Sequence, residues 1–116
     1  MDNDLTIPML LTGVALALVS CAKPQPVTSV QTACAVATAR VTSERHLPIS
    51  HVALCDHIAE ADSPTGYYVM ALRAHCREEV CGSTNMGWFA VEKKTGRVFE
   101  WDVAEMKLGQ PIKTDR

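Results

Sequence analysis

Between Leu5 and Ser20 the chain runs for sixteen residues, LTIPMLLTGVALALVS, without a charged side chain, and the run ends against Cys21. A helix needs roughly 20 apolar residues to cross a bilayer, so this run is short for a span and suits the apolar core of an export signal. It also divides the composition. Of the 116 residues, 47% are apolar, which argues against wholesale disorder, but that figure averages two unlike pieces. Asp2 and Asp4 account for two of the 13 acidic residues, so the 96 residues from Cys21 onward set 11 basic against 11 acidic side chains. The formal charge of −2 therefore belongs to the N-terminal segment. No basic excess marks the remainder as a nucleic-acid binder.

The end of the apolar run, Leu18-Val19-Ser20-Cys21, resembles the bacterial lipoprotein box, with an apolar residue three places before the cysteine and a small residue against it. The resemblance implies that the Cys21 thiol takes a diacylglycerol, that the peptide is cut before Cys21, and that the new amino group is acylated in turn. The opening Met1-Asp2-Asn3-Asp4 departs from the pattern, because it carries no Lys or Arg. Two or three acyl chains at about 0.8 kcal/mol per buried methylene hold a protein firmly on a membrane. Ala22-Lys23-Pro24-Gln25-Pro26 is polar and broken by proline, as a tether is. The expected organisation is a signal peptide over 1–20, a tether over 21–27 and a small domain over 28–116. Ala22, in place of the aspartate that retains enterobacterial lipoproteins in the inner membrane, implies the outer membrane, facing the periplasm.

Export changes how Cys34, Cys55, Cys76 and Cys81 read. An even number of cysteines in an oxidising compartment is by default a disulfide framework, and four allow three connectivities. The favoured pairing is Cys76 with Cys81, closing a short loop, and Cys34 with Cys55, joining an early helix to the next segment of chain. A metal site built from these thiols and His46, His51, His57 and His75 is the rival. Its spacings are poor: Cys76 and Cys81 are not a CxxC pair, and His46, His51 and His57 lack helical i, i+4 steps. No metal or cofactor is assigned.

Thr28 to Arg45 is rich in alanine and valine, and Val30, Cys34, Ala37 and Val41 recur at steps of three and four, which predicts an amphipathic helix capped by Thr28 or Ser29. His46-Leu47-Pro48 ends it. His51 to Ala61 reads as a strand with Val52, Leu54 and Ile58 on one face, or as a short helix capped by Ser50; the strand is preferred because Ser63-Pro64-Thr65-Gly66 is a turn. Tyr67 to Cys76 is a clearer strand, with Tyr68, Met70, Leu72, Ala74 and Cys76 on the core face. Trp88 to Glu92 and Arg97 to Val103 are two strands about Lys93-Lys94-Thr95-Gly96, a bend closed by a left-handed glycine. Phe89 with Val91, and Phe99 with Trp101 and Val103, are expected to face inward; from Glu105 the chain is expected to be irregular. The fold class is α+β, an N-terminal helix followed by a three- or four-stranded antiparallel sheet.

Gly87-Trp88-Phe89-Ala90-Val91 followed by Lys94-Thr95-Gly96-Arg97-Val98 resembles the final hairpin of PepSY-like and cystatin-like envelope domains, over about the last third of the chain. That resemblance implies the helix-then-strands order and an association with protease inhibition or regulation. It carries over no functional residue.

A search for catalytic patterns finds no GxSxG, HExxH or phosphate-binding GxxxxGK[ST]. Ser83, beside Thr84, with His75 as base is the nearest approach to a nucleophile, and Ser-Thr-Asn is more simply turn chemistry. Asp56 and His57, adjacent on a strand, would point to opposite faces. The chain is read as a non-enzyme. The constrained loop after Cys76 leads instead to Asn85, Met86 and Trp88, with Arg77, Arg73 and Tyr67 nearby. A stiff loop loses little entropy on binding, and Trp is enriched at interface hot spots. The expected function is a lipid-anchored domain that binds a periplasmic protein through Arg77, Asn85, Met86 and Trp88, as an inhibitor or immunity protein would; the alternatives are a structural envelope lipoprotein and a thiol or metal-binding envelope protein.

Overall fold

The computed structural model describes residues 25–113; the stretch read as a signal peptide, Cys21 and the first part of the expected tether lie outside the described residues. The order of elements is α1 (Val30–Glu44), β1 (Val52–His57), β2 (Tyr67–Ala74), β3 (Asn85–Glu92), β4 (Val98–Asp102) and β5 (Lys107–Pro111), with single 3-10 turns at Ile49–His51 and Glu60–Asp62. The architecture is α+β. The strands form one antiparallel meander in the order β1-β2-β3-β4-β5, one strand more than the upper sequence expectation.

The helix begins where the Ser29 side chain accepts a hydrogen bond from the Thr32 amide at 3.1 Å. It ends in a Schellman closure: the Leu47 amide donates to the Thr42 carbonyl at 2.8 Å and the His46 amide to the Ser43 carbonyl at 3.2 Å. His46 takes the left-handed conformation (φ 60°) that glycine usually fills there, and Pro48 comes two residues later. Ala33, Ala37 and Val41 are fully buried on the sheet. Two alanines in that stripe let the helix backbone approach Tyr68, Met70, Leu72, Phe89, Val91 and Val98, which form the principal core with Val27 and Ile112. Burying each of Met70, Leu72 and Phe89 contributes about 1.5–3 kcal/mol. Thr42, also buried, turns its hydroxyl back to donate to the Thr38 carbonyl at 2.6 Å, so it leaves no unpaired polar atom.

The 51–61 segment is a strand over Val52–His57, but its inward face differs from the expected one. Val52 pairs with Ala74 and Leu54 with Arg73, so one extra residue bulges out of β1. The bulge turns Val52 and Cys55 toward the helix and leaves Leu54 52% exposed. β2 keeps Tyr68, Met70 and Leu72 on the helix face as expected and stops at Ala74, so Cys76 lies in the following loop. β4 corrects the expected inward set. Val98 pairs with Val91 on the helix side, whereas Phe99 pairs with Ala90 and, with Trp101, faces away. Val103 is exposed in the next turn. The expected irregular tail instead contains β5: Met106 supplies the left-handed turn position (φ 56°), and the Glu105 amide is held by the Asp102 carboxylate at 2.9 Å. Gly109 and Pro111 are tolerated because β5 is an edge strand.

The last part of the stretch read as tether is docked on the domain. Gln25 and Val27 donate backbone hydrogen bonds to the carbonyls of Thr95 (3.3 Å) and Lys93 (2.7 Å), and Val27 is 2% exposed. This fixes the chain against the Lys93–Gly96 turn, where Gly96 has φ 76° and an added Cβ would lie 2.9 Å from the Gln25 carbonyl oxygen. Lys93 pairs with Glu60 and lies 4.6 Å over the Tyr68 ring. The hydrogen bond to Glu60 holds its ammonium above the usual lysine pKa.

The cysteines pair Cys34–Cys55 and Cys76–Cys81, with Cα separations of 6.1 and 5.8 Å. The first bridge ties α1 to β1 across a sequence separation of 21 and the second closes a separation of 5. Loop-closure entropy makes the first worth about 3 kcal/mol and the second about 2 kcal/mol. Urea unfolding of the Cys34→Ala/Cys55→Ala double variant is therefore expected to show the larger loss, and an equal or smaller loss than for Cys76→Ala/Cys81→Ala would contradict that ranking. Gly96→Ala is expected to cost roughly 1–3 kcal/mol, because it combines left-handed strain with a backbone clash. Faster hydrogen exchange at the Val27 amide than in the parent protein is the accompanying signature.

Candidate functional site

One helix covers one face of a sheet, so the other face has to be read for what it presents. Six aromatic residues are available, and the helix side uses only Tyr68 and Phe89. Tyr67, Trp88, Phe99 and Trp101 stand on the opposite face. There Val69 and Ala90 are buried, and Trp101 is 8% exposed; Ile58, Tyr67, Trp88 and Leu108 pack around them, partly open to solvent. The Tyr67 and Phe99 rings meet edge to face, with centroids 6.2 Å apart at 73°. The Arg97 guanidinium lies 5.0 Å over Phe99. At the far corner Arg73 Nε donates to Asp56 Oδ2 at 2.9 Å, beside the exposed Leu54. The result is an aromatic floor bordered by charges of both signs.

The residues expected to bind a partner are distributed over this face, its reverse and the adjoining loop. Arg77 is exposed after β2, in the loop closed by Cys76–Cys81. With His51, His75, Glu78, Ser83 and Thr84 it lines an open groove of about 300 Å³. Asn85 is exposed and its Oδ1 accepts a hydrogen bond from the Gly87 amide at 2.9 Å, so the side chain shapes the start of β3. Met86 and Trp88 are divided. The ladder slips between Leu72 and Arg73, opposite Gly87 and Asn85, and Gly87 adopts φ 127°. This bulge reverses the alternation, so Met86 packs against the helix-side core and Trp88 against the aromatic face. The expected Met86–Trp88 patch is therefore not one surface; Trp88 belongs with Tyr67, Phe99 and Trp101.

Ser83 and His75 line the same groove, yet among the described residues no hydrogen bond joins them, and Ser83 Oγ accepts from the Asn85 amide at 3.2 Å as a turn serine does. Asp56 is engaged by Arg73. The four cysteines are paired with one another, so their sulfurs are disulfide sulfurs and not the thiolates a metal would need. Among the described residues no group of three or more His, Cys, Asp or Glu side chains converges on a point that could hold a metal ion. None of the described helices is long and apolar enough to cross a membrane.

The sequence reading missed the breadth of this face. Tyr67-Tyr68-Val69-Met70-Ala71-Leu72 and Val98-Phe99-Glu100-Trp101 carry large or apolar residues on both parities, the pattern of strands apolar on two sides. That signal points to Tyr67, Phe99 and Trp101 as much as to Trp88.

No protein-family model, no curated protein and no solved structure matches the chain.

Met86→Ala is expected to cost about 1–2 kcal/mol, the value of a half-buried methionine on the helix-side core. Arg77→Ala should stay within about 0.5 kcal/mol of the parent, and Asn85→Ala should cost about 1 kcal/mol through the lost cap on the Gly87 amide. Chemical denaturation of the three variants checks that order; a neutral Met86→Ala would contradict the division of Met86 from Trp88.

Proposed function

We propose that the chain is a lipid-anchored, periplasm-facing binding domain that engages a protein partner through the helix-free aromatic face of its sheet, in the manner of an inhibitor or immunity protein. The observation that carries this reading is the gathering of Tyr67, Trp88, Phe99 and Trp101 on the face opposite the helix, where Tyr67, Trp88 and Phe99 stay partly open to solvent. Five strands at about 4.8 Å and some 20 Å of strand length give a face of roughly 500 Å². A stable interface takes about 800 Å² from each partner, and the exposed loop 77–84, stiffened by the Cys76–Cys81 bridge, lies beyond the end of β2 to extend the contact. Aromatic anchors within a rim of charge are the composition of an interface centre. The fitting partner presents an apolar strip flanked by both signs of charge, to meet Arg97 at one corner and the Arg73–Asp56 pair at another. The lipobox-like Leu18-Val19-Ser20-Cys21 supports the membrane anchorage, and the paired cysteines accord with an oxidising compartment.

The test is retention of periplasmic proteins by the tagged full chain, with substitutions on either face of the sheet. Trp88→Ala combined with Phe99→Ala is expected to lower recovery of a specific partner by about tenfold or more, as hot-spot truncation does. Met86→Ala, on the helix side, should leave it unchanged once folding has been verified by circular dichroism. Equal recovery by all variants would sink the assignment.

A further inference from the structure

A second surface, on the flank where α1 meets the β4–β5 edge, gathers cations, one of which, Arg97, also borders the aromatic face. Arg40, Arg97, Val98, Pro111, Ile112 and Lys113 line a cleft of about 410 Å³. Three of the six are cations and none is acidic. Val98 and Ile112, 1% and 6% exposed and joined by the Ile112 amide donating to the Val98 carbonyl at 2.8 Å, make an apolar floor. Arg97 and Lys113 are exposed and Arg40 half-buried above it, so all three are open to an anion arriving from solvent. Arg97 is additionally held by its stacking on Phe99. The two ion pairs among the described residues are Arg73–Asp56 and Lys93–Glu60, so the cations of the cleft meet no carboxylate among them. The three come from separate stretches of chain: the helix, the residue before β4 and the residue after Ile112.

The position of the cleft relative to the N-terminus selects its ligand. Gln25, bonded to the Thr95 carbonyl, lies four residues after Cys21, so an extended chain spans at most about 14 Å between them. A membrane anchor at or before Cys21 of the kind proposed above therefore holds the Lys93–Gly96 turn within about that distance of the headgroups. Arg97 is two residues from Thr95, and Lys94, exposed in the turn, adds a further cation on the approach. Each basic side chain near an anionic surface raises binding roughly fivefold.

We infer that the Arg40–Arg97–Lys113 cleft binds a phosphate group, and that in the anchored protein this is the headgroup phosphate of an anionic phospholipid. Binding there lays the flank of the domain on the bilayer. The membrane source rests on the anchorage reading; the phosphate chemistry does not.

The test places the full chain in vesicles of phosphatidylcholine alone and in vesicles containing phosphatidylglycerol, and labels its lysines with a membrane-impermeant amine reagent read residue by residue by mass spectrometry. Lys107, at the other end of β5, is the internal control. Labelling of Lys113 is expected to fall about tenfold in the anionic vesicles relative to Lys107, and Arg40→Ala with Arg97→Ala should restore it. Protection of Lys113 by millimolar inorganic phosphate in the neutral vesicles, without a further effect of phosphatidylglycerol, would uphold the phosphate site and assign it to a soluble ligand. Equal labelling of Lys113 in both vesicles and with added phosphate would overturn the proposal. Flotation with neutral vesicles reads the anchor separately, and the inorganic phosphate arm decides the site for a chain that does not float.

Discussion

The close seat of α1 on the sheet, made by Ala33, Ala37 and Val41 against Met70, Leu72, Phe89 and Val91, is the contact from which the rest of the domain is arranged. A fifteen-residue helix is about 22 Å long and 10 Å across, enough to cover the middle of one face of a five-stranded sheet and none of the other. Its alanines give close approach at the cost of apolar bulk, so Phe89, Met70 and Leu72 fill the space from the sheet side. The Cys34–Cys55 bridge binds the same pair of layers at the β1 end, and Val27 and Ile112 close the opposite flank. With the helix committed to one side, every aromatic residue not needed there is left for the other.

The division between the two faces depends on bulges more than on composition. One extra residue in β1 turns Cys55 to the helix and Leu54 outward; another at Gly87 separates Met86 from Trp88. A slip of one residue exchanges the faces of a strand. Two bulged strands, β1 and β3 on either side of β2, therefore decide which side chains the domain can offer to a partner. The cationic cleft lies at the flank beside the Lys93–Gly96 turn on which Gln25 is held, and shares Arg97 with the rim of the aromatic face.

Much of this was legible in the residues and some of it was not. The helix was visible because its period, its serine cap and its terminating Leu47-Pro48 agreed, and the β3–β4 hairpin because Thr95-Gly96 matches one turn chemistry. The cysteine pairing could be drawn from the even number left beyond the expected export signal and from the short Cys76–Cys81 spacing. The strand β5 was hidden: Gly109 and Pro111 disfavour a strand interior, and its turn takes the left-handed position with Met106 where glycine would have announced it. The bulges were hidden for a different reason. A strand's alternation can be counted from sequence, whereas an inserted residue is fixed by its neighbour's ladder, so the inward face of β1 and the separation of Met86 from Trp88 emerged only with the register. The aromatic face was half legible, since Trp88 stood out while Phe99 and Trp101 read as core. The cleft was not legible at all, because Arg40, Arg97 and Lys113 are far apart in the chain.

The sheet order, in which every strand neighbours its predecessor and its successor, also governs how the molecule comes together. Such a meander is built from pairings between chain neighbours, hairpin upon hairpin, with no strand pairing to a distant segment. The helix is different, since its core partners run from Tyr68 to Ile112 and it has a continuous surface to dock on only when the strands are in place. Cys34 and Cys55 sit on either side of that docking step. Their bond therefore acts as a latch between the two layers, retaining the helix on a sheet whose register is set by its own turns and bulges.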